Sequence, residues 1–290
     1  MSDRRRQNFL CDQNEPLAII LGTNEIASAI GSRLAWDGFQ VILSHDPYPP
    51  VIRRGMAFHD ALFDDEATVD GIIGQHAASA LEIVATLSWP MRVAVTPLHL
   101  MDLFALRAPD VIVDARMQKY RVTPDLRGLA RLAVGVGPNF FVDRNCHIAI
   151  ETHPMSTGEL VDIGRTKVAD GMARDLGGVG RERFIYTQRK GVWRTPLDIG
   201  ARIFKGYVLG HLDGLPISAP MDGFLRGVAR DGTLMPANVK LVEIDPRGRN
   251  ATWFGVDERG RAIATATAKA VKAGMARARR RFASKEATLH

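Results

Sequence analysis

The chain of 290 residues has only two cysteines, Cys11 and Cys146. This excludes a framework of disulfide bonds, and a reducing, cytoplasmic location is the expectation that fits best. No apolar run of about eighteen residues occurs, so a membrane-spanning helix is not predicted. The first sixteen residues contain arginines but no apolar stretch, and a secretory signal is therefore not expected.

Aromatic residues are also few, at 7%, but apolar residues make up 46% of the chain, which supports a sizeable core and favours two domains over one.

The net charge is +6, and residues 269–281 hold six basic residues and no acid. Such a tail could attract nucleic acid or an acidic partner. We favour a solvated helix end, because cations suit a helix C-terminus and no aromatic residue is interleaved before Phe282. We therefore expect neither a membrane nor a nucleic acid as partner, and a homo-oligomer stays open.

Short apolar runs alternate with helix-like patterns through the first half of the chain. Strands are predicted over 17–22, 39–46, 91–96, 110–115 and 132–137, and helices over 24–38 and 76–87. This order is typical of a doubly wound parallel sheet. The sequence therefore predicts an α/β fold with a Rossmann-like domain over 15–155.

The turn after the first predicted strand is a degenerate form of a nucleotide-binding fingerprint. Rossmann turns carry Gly-x-Gly-x-x-Gly, whose glycines let the backbone approach a pyrophosphate. Here Gly22 is kept, but Asn24 replaces the middle glycine, and its side chain obstructs a phosphate. Glu25 adds a negative charge at the same point, while Asp46 stands where a ribose-binding acid would. Dinucleotide binding and a scaffold that has lost it both stay open, and we favour the scaffold.

Residues 191–213 match residues 223–245 at a constant offset of 32 residues. The matched pairs include Gly191 with Gly223, Gly206 with Asn238, and Asp213 with Asp245. Two copies do not make a solenoid, but they fit two interlocked β halves related by a pseudo-twofold axis. We therefore predict a β-rich barrel-sandwich hybrid of the biotinyl/lipoyl type over 189–250, after a connecting segment over 156–188 and before a C-terminal helix and basic tail over 251–290.

Biotinyl and lipoyl carriers bear their cofactor on a lysine at the hairpin tip that joins the two halves. The corresponding segment, residues 211–216, reads HLDGLP and has no lysine. The nearest lysines, Lys205 and Lys240, fall inside the repeated segments. We therefore expect no covalent biotin or lipoate, and a structural or protein-docking role for the barrel.

Residues 135–154 form the densest group of candidate site residues. Gly137 ends a predicted strand, as ligand-binding loops often do. The run HIAIET alternates, so His147 and Glu151 share one face of an extended segment, but roughly 13 Å apart, which is too far to share an ion. No metal site is therefore predicted, and Cys146, on the other face, is expected to be a buried thiol.

Several motifs, in order along the chain, resemble those of one protein family. They are Asp114-Ala115, Lys119, Gly137-Pro138, Phe140, His147 and Glu151-Thr152, followed by AP-DG-LRG over 219–227 and IDPRG over 244–248. The pattern, which runs from about Leu17 to Val271, is similar to the selenium-dependent molybdenum hydroxylase maturation proteins. That family is related to the XdhC accessory factors of xanthine dehydrogenase.

The resemblance implies a cytoplasmic accessory factor that transiently binds the molybdenum cofactor or helps insert it into a molybdenum hydroxylase client. It implies that the cofactor is held by Asp114, Lys119, Gly137, Asn139, His147 and Glu151. In this scheme Lys119 holds an anionic phosphate or pterin group by its charge. Asn24, Asn139 and Asn145 depart from the family pattern. The chain therefore resembles a divergent member, and a link to selenium stays open.

Two other functions stay open at this point. The Rossmann pattern alone suggests an NAD(P)-linked oxidoreductase, although Asn24 and Glu25 predict weak or absent NAD(P) binding. The barrel suggests a non-enzymatic scaffold that docks other proteins. The sequence does not decide whether any reaction is catalysed.

Overall fold

The computed structural model of the protein describes residues 15–121 and 123–288, and in the last helix it describes side chains as far as Arg277. Cys11 and the side chains of residues 279–281 in the basic tail lie outside the described part. The fold is mixed α/β, with one large, mostly parallel sheet followed by two antiparallel sheets. Across the described residues, no helix has both the length and the apolar character needed to cross a membrane.

Nine strands form the large sheet, in the spatial order β3-β4-β5-β2-β1-β6-β7-β8-β9. They are β1 (Leu17–Leu21), β2 (Gln40–Ser44), β3 (Glu66–Val69), β4 (Ile72–His76), β5 (Arg92–Thr96), β6 (Val111–Asp114), β7 (Leu132–Val136), β8 (Ile148–Ile150) and β9 (Leu160–Val161). Neighbours are parallel except at the two edges, where β3–β4 and β8–β9 are antiparallel. The strand order reverses between β1 and β6, and open α/β sheets bind ligands beyond the carboxyl ends of such strands.

Helices cover both faces of the large sheet. They are α1 (Glu25–Trp36), α2 (Ala61–Asp64), α3 (Ala80–Leu87), α4 (Leu100–Leu103) and α5 (Glu258–Thr288). One core cluster contains Ile20 of β1 together with Ile26 of α1 and Ile263 of α5. A second cluster, on the opposite face, contains the neighbouring Ile19 together with Ile83 of α3. Because both faces are covered, the parallel strands are continuous apolar runs, which is why the sequence predicted them.

Eight further strands form the two antiparallel sheets, in the orders β10-β17-β15-β12 and β14-β13-β11-β16. They are β10 (Phe184–Tyr186), β11 (Gly191–Arg194), β12 (Arg202–Ile203), β13 (Val208–Leu212), β14 (Leu215–Ser218), β15 (Gly223–Val228), β16 (Leu234–Met235) and β17 (Lys240–Asp245). Trp193, Leu225 and Leu241 are among the fully buried side chains of their shared core.

The repeat predicted from the sequence is present in the strand pairing. β12 pairs with β15, and β16 pairs with β11, so each copy contributes its middle strand to the sheet of the other copy. The matched turn residues Gly206 and Asn238 both have positive φ angles, of 86° and 61°. The β13–β14 hairpin, which turns at Asp213 and Gly214, joins the two copies.

Several elements cross the domain boundaries that the sequence suggested. Within the segment predicted as a connection over 156–188, β9 extends the large sheet and β10 begins an antiparallel sheet. Helix α5, at the end of the chain, returns to the large sheet and packs against α1, β7 and β8. The last helix therefore belongs to the layer that covers the first sheet.

Candidate functional site

A cavity of about 280 Å³ lies between the carboxyl edge of the large sheet and the antiparallel sheets. One wall comes from the loops after β1, β6 and β8 and from the start of α5, and it includes Lys119 and Arg259. The other wall comes from β10 and the start of β17, and it includes Phe184, Tyr186 and Lys240. Residues 48–53 and 167–174 complete the lining. The two halves of the fold thus share one cavity.

The cavity lining has a clear excess of positive charge. Its cationic residues are Arg53, Lys119, Lys167, Arg174, Arg183, Lys240 and Arg259, and its acidic residues are Glu25, Glu151 and Asp170. Seven cations against three acids leave a surplus of four positive charges. Such a concave, positively charged site attracts anions.

Two of these cations are paired with a carboxylate beneath the cavity. Glu243, which is fully buried, accepts hydrogen bonds from Arg53 Nε at 2.5 Å and from Arg183 Nε at 3.2 Å. Burial alone would raise the pKa of Glu243, but the charge and hydrogen bonds of Arg53 hold it at about 2. Arg53 also contacts Glu25 Oε1 at 3.1 Å, so this network links α1 to β17.

Of the five remaining lining cations, Arg174 pairs with Glu258, and the other four have no carboxylate partner among the described residues. One of these four, Lys167, donates a hydrogen bond from Nζ to the Ser156 hydroxyl at 2.8 Å. In the described part of the chain, no carboxylate oxygen lies within 4.0 Å of the charged nitrogens of Lys119, Lys240 or Arg259. Arg259 donates a hydrogen bond to the Thr152 carbonyl at 3.2 Å, and Lys240 Nζ lies 3.7 Å from the centre of the Phe184 ring. These three side chains are therefore the ones that an anion in the cavity would neutralise.

Burial, and after it crowding by like charges, lowers the pKa values of these groups. Burial lowers the pKa of Lys119, and the charges of Arg181 and Arg259 lower it further. Burial and the charge of Arg53 lower the pKa of Lys240 to about 7. Burial and Arg53 also lower the pKa of Arg259. An anion bound beside Lys119 and Arg259 would favour the charged forms of these two side chains.

Glu151, which the resemblance implies is a cofactor-holding residue, forms hydrogen bonds that connect two segments of the cavity wall. Its side chain is 3% exposed. Oε1 accepts hydrogen bonds from the backbone N–H groups of Thr152 and His153 at 2.7 and 2.8 Å, and Oε2 accepts one from the backbone N–H group of Lys167 at 2.7 Å. These bonds end β8 at Ile150, so the extended segment expected through residue 152 is shorter than predicted. Glu151 thus ties the loop after β8 to the segment at residues 167–174.

In the degenerate turn after β1, the side chain of Asn24 forms hydrogen bonds with the backbone groups around it. Asn24 Oδ1 accepts hydrogen bonds from Ile26 and Ala27 N–H at 2.9 and 3.1 Å, and its Nδ2 donates to the Ala115 carbonyl at 2.8 Å. Gly22 has a φ of 109°, and a Cβ there would lie 3.2 Å from the same carbonyl. The donors that would bind a phosphate at the start of α1 are therefore already used.

Asp46 and Asp114 are likewise engaged inside the chain. Asp46 accepts hydrogen bonds from Gln118 Nε2 and from the Tyr48 N–H, both at 2.9 Å. Asp114, at the end of β6, is 3% exposed and forms an ion pair with Arg116 at 2.6 Å. These contacts fix the loop that leads from β6 to Lys119.

The remaining predicted residues divide between the two edges of the sheet. Asn139 donates a hydrogen bond from Nδ2 to the Lys119 carbonyl at 2.8 Å and so supports the cavity wall. Gly137, with a φ of 112°, leaves room for Met117, whose sulfur lies 3.1 Å from the position of a Cβ. His147 precedes β8 at its amino end, where Nδ1 accepts a hydrogen bond from the Ala133 N–H at 2.9 Å. The sequence expected His147 to converge with Lys119, but it lies at the opposite edge of the sheet.

Six of the seven lining cations were not proposed as site residues from the sequence: Arg53, Lys167, Arg174, Arg183, Lys240 and Arg259. One signal was available for Lys240. In the alignment of the two copies Lys240 corresponds to Val208, so the second copy has a charged residue where the first has an apolar one. Arg53 belongs to an Arg-Arg pair, but nothing local indicated that it contacts Glu243, which is 190 residues away.

Cys146 is buried, as expected, with 1% exposure, and burial raises the pKa of its thiol to about 12. Such a thiol is unreactive at neutral pH. Among the described residues, no group of three or more His, Cys, Asp or Glu side chains is arranged to hold a metal ion.

Comparison with known proteins gives one curated relative and weak structural matches. No family model matches the chain. The uncharacterized protein YqeB of Escherichia coli K12 is 31% identical over 249 residues, which cover 85% of this chain and 46% of that protein. The chain therefore spans about half the length of this relative.

Two solved structures are similar over 79% of this chain and 85% of their own chains. The ectoine utilization protein EutE (DoeB) of Ruegeria pomeroyi is 10% identical, with a TM-score of 0.26. An aspartoacylase family protein of Mesorhizobium loti is 12% identical, with a TM-score of 0.24. Scores this low assign neither a fold nor a function.

Proposed function

We propose that the protein binds an anionic small molecule in the cavity between its two halves. The observation that carries this proposal is the set of three cations, Lys119, Lys240 and Arg259, that line the cavity with no carboxylate oxygen within 4.0 Å among the described residues. Lys240 and Arg259 are partly buried, and taking a cation out of water is costly unless an anion compensates for it. Lys119 is exposed and adds its charge to the same lining. A bound phosphate would provide that compensation, because guanidinium and ammonium groups form charge-assisted hydrogen bonds with its oxygens.

The remainder of the lining favours a planar ring next to the anionic group. Tyr48, Phe184 and Tyr186 line the cavity, and Pro49 and Pro50 add apolar surface. Flat apolar faces beside cations suit a phosphorylated heterocycle. The pterin of the molybdenum cofactor, which the sequence resemblance names, has this chemistry, so the residues present fit it. We therefore propose a cytoplasmic accessory factor that holds this cofactor transiently for a molybdenum hydroxylase client.

The same proposal includes the finer description of the fold. The reversal of strand order at β1 and β6 supports a Rossmann-like first domain over 15–155. The exchange of β12 and β16 between the antiparallel sheets supports a barrel-sandwich hybrid over 189–250. In this barrel the joining hairpin turns at Asp213-Gly214, which supports a barrel without covalent biotin or lipoate.

Two alternatives have unequal support. An NAD(P)-linked oxidoreductase is less favoured, because Asn24 and Asp46 use their polar atoms within the chain. Protein docking by the barrel is supported by the exposed side chains of Phe204, Tyr207 and Leu215, which give it apolar surface. Docking of the client at this surface is compatible with cofactor binding in the cavity.

Calorimetric titration with inorganic pyrophosphate tests the anion site directly. We expect Lys119→Gln and Arg259→Gln each to weaken binding by about tenfold, because each removes one charge-assisted hydrogen bond. Lys205→Gln is the matched control, since Lys205 is exposed in a turn of the barrel. Equal affinity in all four proteins would contradict the proposal.

The cofactor itself is tested on protein purified from its native host. The pterin is extracted, oxidised to its fluorescent form and quantified in the wild type and in Arg259→Gln. We expect the wild type to carry the pterin and the variant to carry several-fold less. Pyrophosphate binding without any pterin would favour a different phosphorylated ligand.

A further inference from the structure

Lys240 differs from the other cations of the cavity in its surroundings. It stands at the start of β17, in the wall opposite Lys119 and Arg259, and it is partly exposed to the cavity. Its Nζ lies 3.7 Å from the centre of the Phe184 ring. A lysine that serves only as a structural cation normally faces a carboxylate or bulk water, and the described residues provide no carboxylate within 4.0 Å.

The surroundings of Lys240 disfavour its ammonium form, chiefly through burial, although the charges of Glu243 and Glu25 act in the opposite direction. Burial and the guanidinium of Arg53 hold the pKa of Lys240 at about 7, and Lys119 contributes in the same direction. A substantial fraction of the Lys240 amines is therefore unprotonated at neutral pH, whereas an ordinary lysine, with a pKa of about 10.4, is almost fully protonated. Desolvation next to other cations is the way in which proteins activate lysines as nucleophiles.

We propose that Lys240 is a nucleophile, whose ε-amino group forms an imine with the carbonyl carbon of an aldehyde or ketone that also bears an anionic group. This inference rests on the proposed function, because it uses the same cavity and gives Lys119 and Arg259 the task of holding the anionic group. It goes further in assigning a reactive carbonyl to the ligand and a covalent step to the chain.

The step is balanced and needs no oxidant or reductant. The Lys240 lone pair attacks the carbonyl carbon and forms a carbon–nitrogen bond, and a proton moves from nitrogen to oxygen to give a carbinolamine. The carbon–oxygen bond then breaks, and the hydroxyl leaves as water with the second proton of the amine while the carbon–nitrogen double bond forms. Water adds back to the imine in the reverse step. The cations of the opposite wall hold the anionic group and so keep the carbonyl close to Nζ.

Trapping with borohydride tests this assignment, with pyridoxal 5′-phosphate as the probe because it combines an aldehyde, a ring and a phosphate. Borohydride reduces the imine to a stable secondary amine, and peptide mass spectrometry locates it. We expect Lys240 to be labelled at least about tenfold more than the exposed Lys205 at pH 7. The labelling rate at Lys240 should level off above about pH 7, whereas that at Lys205 should keep rising toward pH 10.

Lys240→Arg keeps the charge and the ring contact but removes the nucleophile, so it should abolish the labelling at this site. Lys205→Arg is the matched control and should leave the labelling of Lys240 unchanged. The proposal would be overturned if each lysine were labelled only in proportion to its solvent exposure. It would also be overturned if the total labelling were the same in Lys240→Arg as in the wild type.

A second probe separates this inference from the anion site. The analogue 4-deoxypyridoxine 5′-phosphate has the ring and phosphate but no aldehyde, and its binding is measured by calorimetry. Binding of the analogue without preferential trapping at Lys240 would overturn the imine and leave the anion site supported. Trapping at Lys240 that is unchanged in Arg259→Gln, with no analogue binding, would support the nucleophile and contradict the anion site.

Discussion

Glu243 is the single residue on which the charge balance beneath the cavity depends. It is buried between Arg53 and Arg183, and its Oε1 lies 3.7 Å from Arg226 Nε, a buried atom without a hydrogen-bond partner among the described residues. Glu243→Gln would leave three guanidinium groups without their shared carboxylate. We expect the variant to lower the free energy of unfolding by about 3–5 kcal/mol in urea titrations near pH 7.

The control and the pH dependence make this prediction specific. Glu258→Gln removes an ion pair with Arg174 whose carboxylate is 83% exposed, and it should cost less than about 1 kcal/mol. The pKa of Glu243 is lowered from 4.5 to about 2, so its stabilising effect is full above pH 4.5 and is lost as the pH falls toward 2. The difference in the free energy of unfolding between wild type and Glu243→Gln should decrease only below pH 4.5. A difference that stays constant down to about pH 3 would contradict this reasoning.

At the scale of elements, helix α1 begins at a capping side chain. Asn24 accepts two hydrogen bonds from the first turn and donates one to Ala115. Asn24→Ala should therefore lower the free energy of unfolding by about 1–2 kcal/mol in urea titrations. Ser79→Ala, which removes the single cap bond of α3, is the matched reference and should cost less. If both variants unfold at the same urea concentration, the hydrogen bond from Asn24 to Ala115 contributes nothing to the stability of the protein.

The elements of the large sheet could be predicted because their signals are local. Buried parallel strands are apolar runs, so β1, β2, β5, β6 and β7 coincide with the predicted strands to within two residues at each end. β3, β4 and β9 were not predicted. The side chains of β3 and β9 are mostly exposed, and the apolar run of β4 stops after Ile73, where Gly74 and two polar residues follow. The repeat was found because two copies of one pattern must use similar turns, as Gly206 and Asn238 do.

The cavity could be predicted only in part from the sequence. Lys119 and Glu151 were proposed and do line it, because both follow the carboxyl ends of strands in the sheet. His147 lies at the other edge, because β7 and β8 are parallel and it precedes the strand that Glu151 follows. Arg53 and Lys240 lie far apart in the sequence and become neighbours only in the folded chain. No local sequence pattern predicts that they line the same cavity.

At the scale of the whole molecule, the cavity joins the two halves of the fold. Arg53 contacts Glu25 of α1 and Glu243 of β17, and the cations without a carboxylate within 4.0 Å among the described residues stand on both walls. An anion bound between the walls should therefore stabilise both halves together. At 100 times its dissociation constant, pyrophosphate should raise the free energy of unfolding by about 2.7 kcal/mol, and by less in Arg259→Gln at the same concentration.

Hydrogen exchange shows where that stabilisation acts. Because the ligand would contact the loop after β6 and the start of β17, we expect pyrophosphate to slow amide exchange at residues 117–121 and at residues 238–242 to a similar degree. The hairpin turn at Asp213 and Gly214, in the β13–β14 hairpin outside the cavity lining, should exchange at an unchanged rate. Arg259→Gln should reduce the effect at both walls, since an anion that loses one contact is released from both. Slowing confined to one wall would mean that the anion binds to a single half and does not bridge the fold.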